Sequence, residues 1–304
     1  MRLSTNSMYS TATSRILDLQ ANQSKLQNQI STGKRIMAPS DDPIGTSRAL
    51  ALSQTQSINT QFQANRQAAQ TQLNTAETAL NSITNVIISA QSTLTSAGNG
   101  ALNNTDRATI ANELSNDLEQ LVSLANAKDG VGNYLFSGYA TTTAPFVKTA
   151  TGYSYQGDSN QLSLQVSSSR QMAVNNNGAN IFQAGGNDIF QKLTDIVNLL
   201  KTPVATAADS TALSAGLAVA DNGLKSALDS VLSVRSDFGS KLKEIEALDD
   251  FSTSATIAYE QNLSDLQDLD YTKALSDLAK QQTILEAAQK SFVKTSSLSL
   301  FDII

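Results

Sequence analysis

A chain of 304 residues has room for two or three domains, and at 40% hydrophobic residues it can build a sizeable core. Aromatics at 5% and the absence of Trp leave few bulky anchors for a globule, while the absence of His and Cys excludes zincin-type motifs, thiolate metal sites and disulfide frameworks. A net charge of -6, with its 21 Lys and Arg scattered along the chain, excludes a nucleic-acid partner.

The first residues, Met1-Arg2-Leu3-Ser4-Thr5-Asn6-Ser7, turn polar at once, so they do not make a cleaved secretory signal. No apolar stretch approaches the roughly 18 residues of a membrane span, and no membrane insertion is expected. By these rules the chain reads as cytosolic unless it leaves the cell by another route.

Ala12, Ile16, Leu19, Leu26 and Ile30 fall on one helical face, with Gln23 in the same row, and Gly33 ends the pattern. A linker over 34–39 follows, then Ser40-Asp41-Asp42-Pro43, which supplies Asp42 as N-cap and Pro43 as first helical residue. The next helix is predicted from about Pro43 to Ala97, with a heptad at Leu73, Ala76, Leu80, Ile83, Ile87, Ala90 and Leu94. Its length, on the order of 80 Å, is too great for a compact domain. Gly98-Asn99-Gly100 stops it, Asn104-Thr105-Asp106 caps another, and Ile110, Leu114, Leu118, Leu121 and Ala125 carry the seam on to Asp129-Gly130.

From about residue 131 to 187 the period changes. Tyr153, Tyr155, Leu162, Leu164 and Val166 alternate with polar residues around Gly157-Asp158, which predicts short antiparallel strands in a small inserted β-domain. Tyr134, Phe136 and Tyr139 read as its core rather than as a partner platform. Helical spacing resumes at Leu193, Ile196, Val197 and Leu200, and the longest seam runs from Leu213 through Phe238 and Ile245 to Leu266. This is one helix, weakened near Asp249 and Asp250. A last helix from about Tyr271 presents Leu275, Leu278, Leu285 and Phe292, before an apolar tail of Leu298, Leu300, Phe301, Ile303 and Ile304.

The expected fold is therefore mainly α: a long antiparallel helical rod with coiled-coil terminal helices and a small inserted β-domain. The divisions are 1–38 with 267–304 for the terminal helices, 39–130 with 188–266 for the rod, and 131–187 for the insert. Neither terminal helix has a globular core around it, so their stripes bury against each other or against other chains, and sustained heptads favour other chains. The predicted assembly interface is Ile16, Leu19, Leu26, Ile30, Leu275, Leu278, Leu285 and Phe292. The apolar tail is expected to be covered at a subunit interface or by a chaperone. Asp41 and Asp42 read as cap residues rather than a metal pair, and Asp265, Asp268 and Asp270 lack the Gly and distal Glu of a calcium loop. No catalytic, cofactor or metal site is predicted.

Several motifs occur in a recognisable order. Gly33-Lys34-Arg35-Ile36 followed by Ser40-Asp41-Asp42-Pro43-Ile44-Gly45, then Arg235-Ser236-Asp237-Phe238-Gly239 and Asp270-Tyr271, resemble landmarks of the bacterial flagellin superfamily. Gly132-Asn133-Tyr134-Leu135-Phe136-Ser137-Gly138, with Thr142, Pro145-Phe146 and Tyr155-Gln156-Gly157-Asp158, resembles its junction branch more than its filament-forming members. The resemblance implies a non-enzymatic axial protein, exported through the flagellar type III exporter with an export chaperone and without a cleaved signal. Such a protein assembles with itself as a ring, on the first junction protein of the hook, and templates flagellin polymerisation; the alternative is a filament-forming flagellin.

Overall fold

A computed structural model describes residues 5–150 and 152–297. The expectations for residues 1–4 and for the apolar tail at 298–304 lie outside the described residues. In chain order the elements are α1 (Thr5–Thr32), α2 (Pro43–Ala97), α3 (Asn104–Ala125), β1 (Phe146–Lys148), β2 (Tyr153–Tyr155), β3 (Ser163–Ser167), β4 (Arg170–Ala173), α4 (Gly178–Phe182), α5 (Ile189–Lys201), α6 (Ala207–Gln267) and α7 (Tyr271–Ser297). The expected class holds: mainly α, long helices paired antiparallel, and a small β-rich insert. The chain divides into two compact units, residues 1–58 with 254–304 and residues 59–253.

The core of the 59–253 unit is built on the row read from α2. Leu73, Ala76, Leu80, Ile83, Ile87, Ala90 and Leu94 are all buried, and they join Leu114, Leu118 and Leu121 of α3 with Leu224, Val231, Phe238 and Ile245 of α6 in one apolar cluster. Polar ties fix the direction of α6 on α2. The Arg66 Nε donates to Asp249 at 2.5 Å and the Arg235 Nε donates to Glu77 at 2.9 Å, so rising numbers on one helix meet falling numbers on the other. Asn59 and Ser252 continue the pairing, with the Ser252 hydroxyl donating to the Asn59 side chain at 2.9 Å. Polar positions in the α6 seam are thus matched across the interface, which is why the helix runs unbroken past Asp249 and Asp250.

The insert folds as two antiparallel hairpins, β1 with β2 and β3 with β4, the second irregular between Gln165 and Ser167. Two-stranded sheets bury too little to be stable alone. Phe136 therefore meets Phe182 edge-on, and Phe146 and Phe182 pack on Phe190 at the start of α5, with ring centroids 4.7–5.7 Å apart, all in the same cluster as the helices. Because Phe136 is fully buried there, Phe136→Ala should cost about 3–5 kcal/mol of stability. Urea unfolding followed by circular dichroism measures this, and a loss below about 1 kcal/mol would contradict the shared core.

Two local details differ from the sequence expectation. The cap of α3 is Asn103, one residue earlier than the predicted triplet, in a reciprocal box: the Asp106 amide donates to the Asn103 side chain and the Asn103 amide to Asp106. α3 also stops at Ala125 instead of running to Asp129. The Asn126 side chain there both accepts from the Phe146 amide and donates to its carbonyl, each at 2.9 Å, so this residue pairs with β1 as a strand would.

Candidate functional site

In the unit formed by residues 1–58 and 254–304, α1 and α7 pack against each other. Tyr9 meets Phe292 edge-on at 5.6 Å near one end, and Gly33 lies beside Tyr271 at the other, so the two helices are antiparallel. The inward row of α1 is Ala12, Ile16, Leu19, Gln23, Leu26 and Ile30, the row read from the sequence. On α7 it is Ala274, Leu278, Gln281, Leu285, Ala288 and Phe292. Leu275 stands apart from the other predicted seam residues. One position beyond Ala274, it turns about 100° away and is 53% exposed.

The terminal stripes, expected to bury between chains, meet within one chain, but only Ala274 of the two rows is fully buried. Two helices cannot enclose their own seam: each covers one side of its partner's stripe and leaves the flanks to solvent. Leu17, Ile284 and Val293 add apolar surface to the same helices. The seam thus leaves apolar surface open to solvent along both helices.

The segment between α1 and α2 ties that pair to the chain that precedes α7. Gly33 takes φ +70°, the left-handed turn that ends α1, and a Cβ added there would stand 2.9 Å from the Tyr271 hydroxyl. The Leu269 amide donates to the Gly33 carbonyl at 2.9 Å and the Arg35 amide to the Gln267 carbonyl at 2.7 Å. The Arg35 guanidinium also donates to the Leu266 carbonyl at 2.8 Å and pairs with Asp42 at 3.3 Å. Ile36 is half-buried beside them, and a Cβ at Gly45 would crowd both Ile36 and Asp42.

Asp41 and Asp42 are connector and cap residues in the structure. Lys25 donates to Asp41 at 2.6 Å, and the Met37 and Ala38 amides do so at 3.1 Å. These bonds, Lys25 foremost, hold the Asp41 carboxyl below the ordinary carboxylate range. Asp42 caps α2 by accepting from the Gly45 amide at 2.8 Å, ahead of Pro43, and that bond lowers its pKa most. Asp270 accepts from the Lys273 amide at the start of α7. No group of three or more His, Cys, Asp or Glu suited to a metal ion occurs among the described residues.

The motif at Tyr134 to Gly138 lies in the other unit and is architectural. Leu135, Phe136 and Ser137 are buried; the Phe136 carbonyl accepts from the Tyr155 hydroxyl at 3.0 Å and from the Gly178 amide at 2.8 Å. Gly138 takes φ +68° against the Asp158 backbone, and Lys128 sits 4.5 Å over the Tyr134 ring. Sequence reasoning missed two basic hubs. Arg66 is 1% exposed and donates to the Val166 carbonyl at 2.9 Å, tying β3 to α2; its signal was a cation in the same 3,4 row as Ala69 and Leu73. Arg35 was quoted only within a motif, and its bond to a carbonyl 231 residues away left no trace in local sequence.

Residues 3–141 match the family description "Bacterial flagellin N-terminal helical region". The chain is 37% identical to flagellar hook-associated protein 3 of Escherichia coli K12 and 36% identical to that of Salmonella typhimurium, each over 100% of this chain and 99% of the relative. Among solved structures it is similar to a putative flagellar hook-associated protein of Vibrio parahaemolyticus, with a TM-score of 0.69 and 24% identity over 75% of this chain and all of that one. It is also similar to the flagellar junction protein FlgL of Legionella pneumophila, with a TM-score of 0.64 and 21% identity over 73% of this chain and all of that one. At these identities the solved structures speak for the fold alone.

Proposed function

We propose a purely structural role for this chain from the premise that it belongs to the flagellar hook-associated protein 3 family. As a flagellar component it associates with other flagellar proteins. The finer reading is an adapter: several copies form a ring in the flagellar axis, seat on the first junction protein at the hook tip, and offer flagellin a surface on which to polymerise. The observation that carries this reading is the half-closed seam of α1 and α7, centred on Ile16, Leu19, Leu26, Ile30, Leu278, Leu285 and Phe292, which neighbouring chains would close. Leu275 and Val293, on the flank of the seam, extend it outward.

Ordering an isolated helix pair is costly, whereas adding a helix to an existing bundle is not. A ring that presents such pairs once, at the hook tip, would remove the nucleation barrier for the next subunits. On this reading the chain reaches the hook tip through the flagellar type III exporter, escorted by an export chaperone, and carries no catalytic residue or cofactor. The match to a flagellin helical region favours a second reading, a filament-forming flagellin. Immunogold labelling of an epitope placed at exposed Val131 separates the two. The adapter reading expects gold confined to one band at the hook–filament boundary; gold along whole filaments would replace it with the flagellin reading.

A further inference from the structure

The connector that ends α1 forms one wall of a groove of about 320 Å³. Ile36, Met37, Ala38 and Pro39 give it an apolar lining, and Met37 is 45% exposed although it is a large apolar side chain. Lys34 lies at its edge and makes no ion pair among the described residues. Thr46 also lines it, and the Thr46 hydroxyl, shielded from solvent, has no hydrogen-bond partner among the described residues. Thr32 and Gln267 complete the lining, and four apolar residues beside one cation and one orphaned hydroxyl suit a short, mostly apolar segment bearing an acidic group.

The chain carries such a segment. Residues 298–304, Leu-Ser-Leu-Phe-Asp-Ile-Ile, have five large apolar side chains and one carboxylate, Asp302. They cannot serve the groove of their own chain. α7 starts beside Gly33, next to the groove, and its 27 residues carry its far end roughly 40 Å away. Seven residues beyond Ser297 span at most about 25 Å even when extended. A second copy whose α7 ends beside the groove has no such limit. We infer that the groove at 34–39 and Thr46 receives residues 298–304 of a second copy, with Phe301 or a neighbouring leucine against Met37 and Asp302 near Lys34.

This inference rests on the association of copies proposed above and adds where one copy grips the next. The repeat it implies is head-to-tail, as an axial assembly needs. A fluorescein-labelled peptide of residues 298–304, with both ends capped so that no terminal charge contributes, is titrated with the full-length protein at low concentration. Fluorescence anisotropy should rise to saturation. Met37→Asp should weaken binding at least about tenfold, since a carboxylate replaces an apolar contact. Circular dichroism of Met37→Asp reports whether it is folded, and a peptide carrying Phe301→Asp repeats the test on the unaltered protein. Absence of saturable binding overturns the inference, as does equal binding by the altered peptide. Its failure leaves the adapter reading standing if the gold label still marks the hook–filament boundary.

Discussion

Replacing Leu285 with aspartate should abolish filament growth while leaving the 59–253 unit folded. Leu285 sits midway along α7 in the row that faces Ile16 and Leu19, half-buried in one chain. In the isolated chain the new carboxylate can turn to the open flank of the seam and stay hydrated, so the cost there is at most about 1–3 kcal/mol. In the proposed assembly neighbouring helices would close the seam and remove that flank, and a buried unpaired charge is far more expensive. Leu278→Asp, two turns along the same row, should behave alike. Circular dichroism and swimming are read together: near-native helicity with no swimming is expected. Normal swimming by either variant would remove the terminal seam from the assembly interface.

The terminal seam was legible in the sequence because helices show their buried face as a 3,4 spacing, and five of the six inward α1 positions are apolar or Ala. Boundaries were legible where a residue has only one use. Pro43 cannot sit in the interior of a helix, and Gly98 opens a run that no helix carries, so α2 begins and ends where predicted. The continuity of α6 through Asp249 was readable from register alone. The reason for it, pairing of Asp249 with Arg66 and of Ser252 with Asn59, is a contact between residues more than 180 positions apart.

What was not legible is tertiary in the same sense. β1 and β4 are three and four residues long, too short for alternation to register, and each exists because a partner strand and the cluster around Phe146 and Met172 hold it. Asn126 reads as an ordinary helix residue until Phe146 is beside it. Leu275 stands one position off the α1–α7 row, whose inward residue there is Ala274, a side chain of less apolar weight than its neighbour. The connector motif was recognised by its residues, but its work of joining Gly33 to Leu269 and Arg35 to Leu266 and Gln267 depends on chain ends that meet only in the fold.

The role of the chain is tested most directly by removing it. On the adapter reading, a cell with the gene deleted should still build hooks, because the proposed ring is added only after the hook, and it should still make flagellin. On the same reading it should be unable to start filaments, because the complementary bundle proposed to lower the nucleation cost of flagellin's helices would be missing. The measurement is an immunoblot of culture supernatant for flagellin, paired with electron micrographs of the cell surface. The account predicts bare hooks and abundant unpolymerised flagellin in the medium, both reversed by the unaltered gene. Filaments of ordinary length on the deletion strain would contradict it.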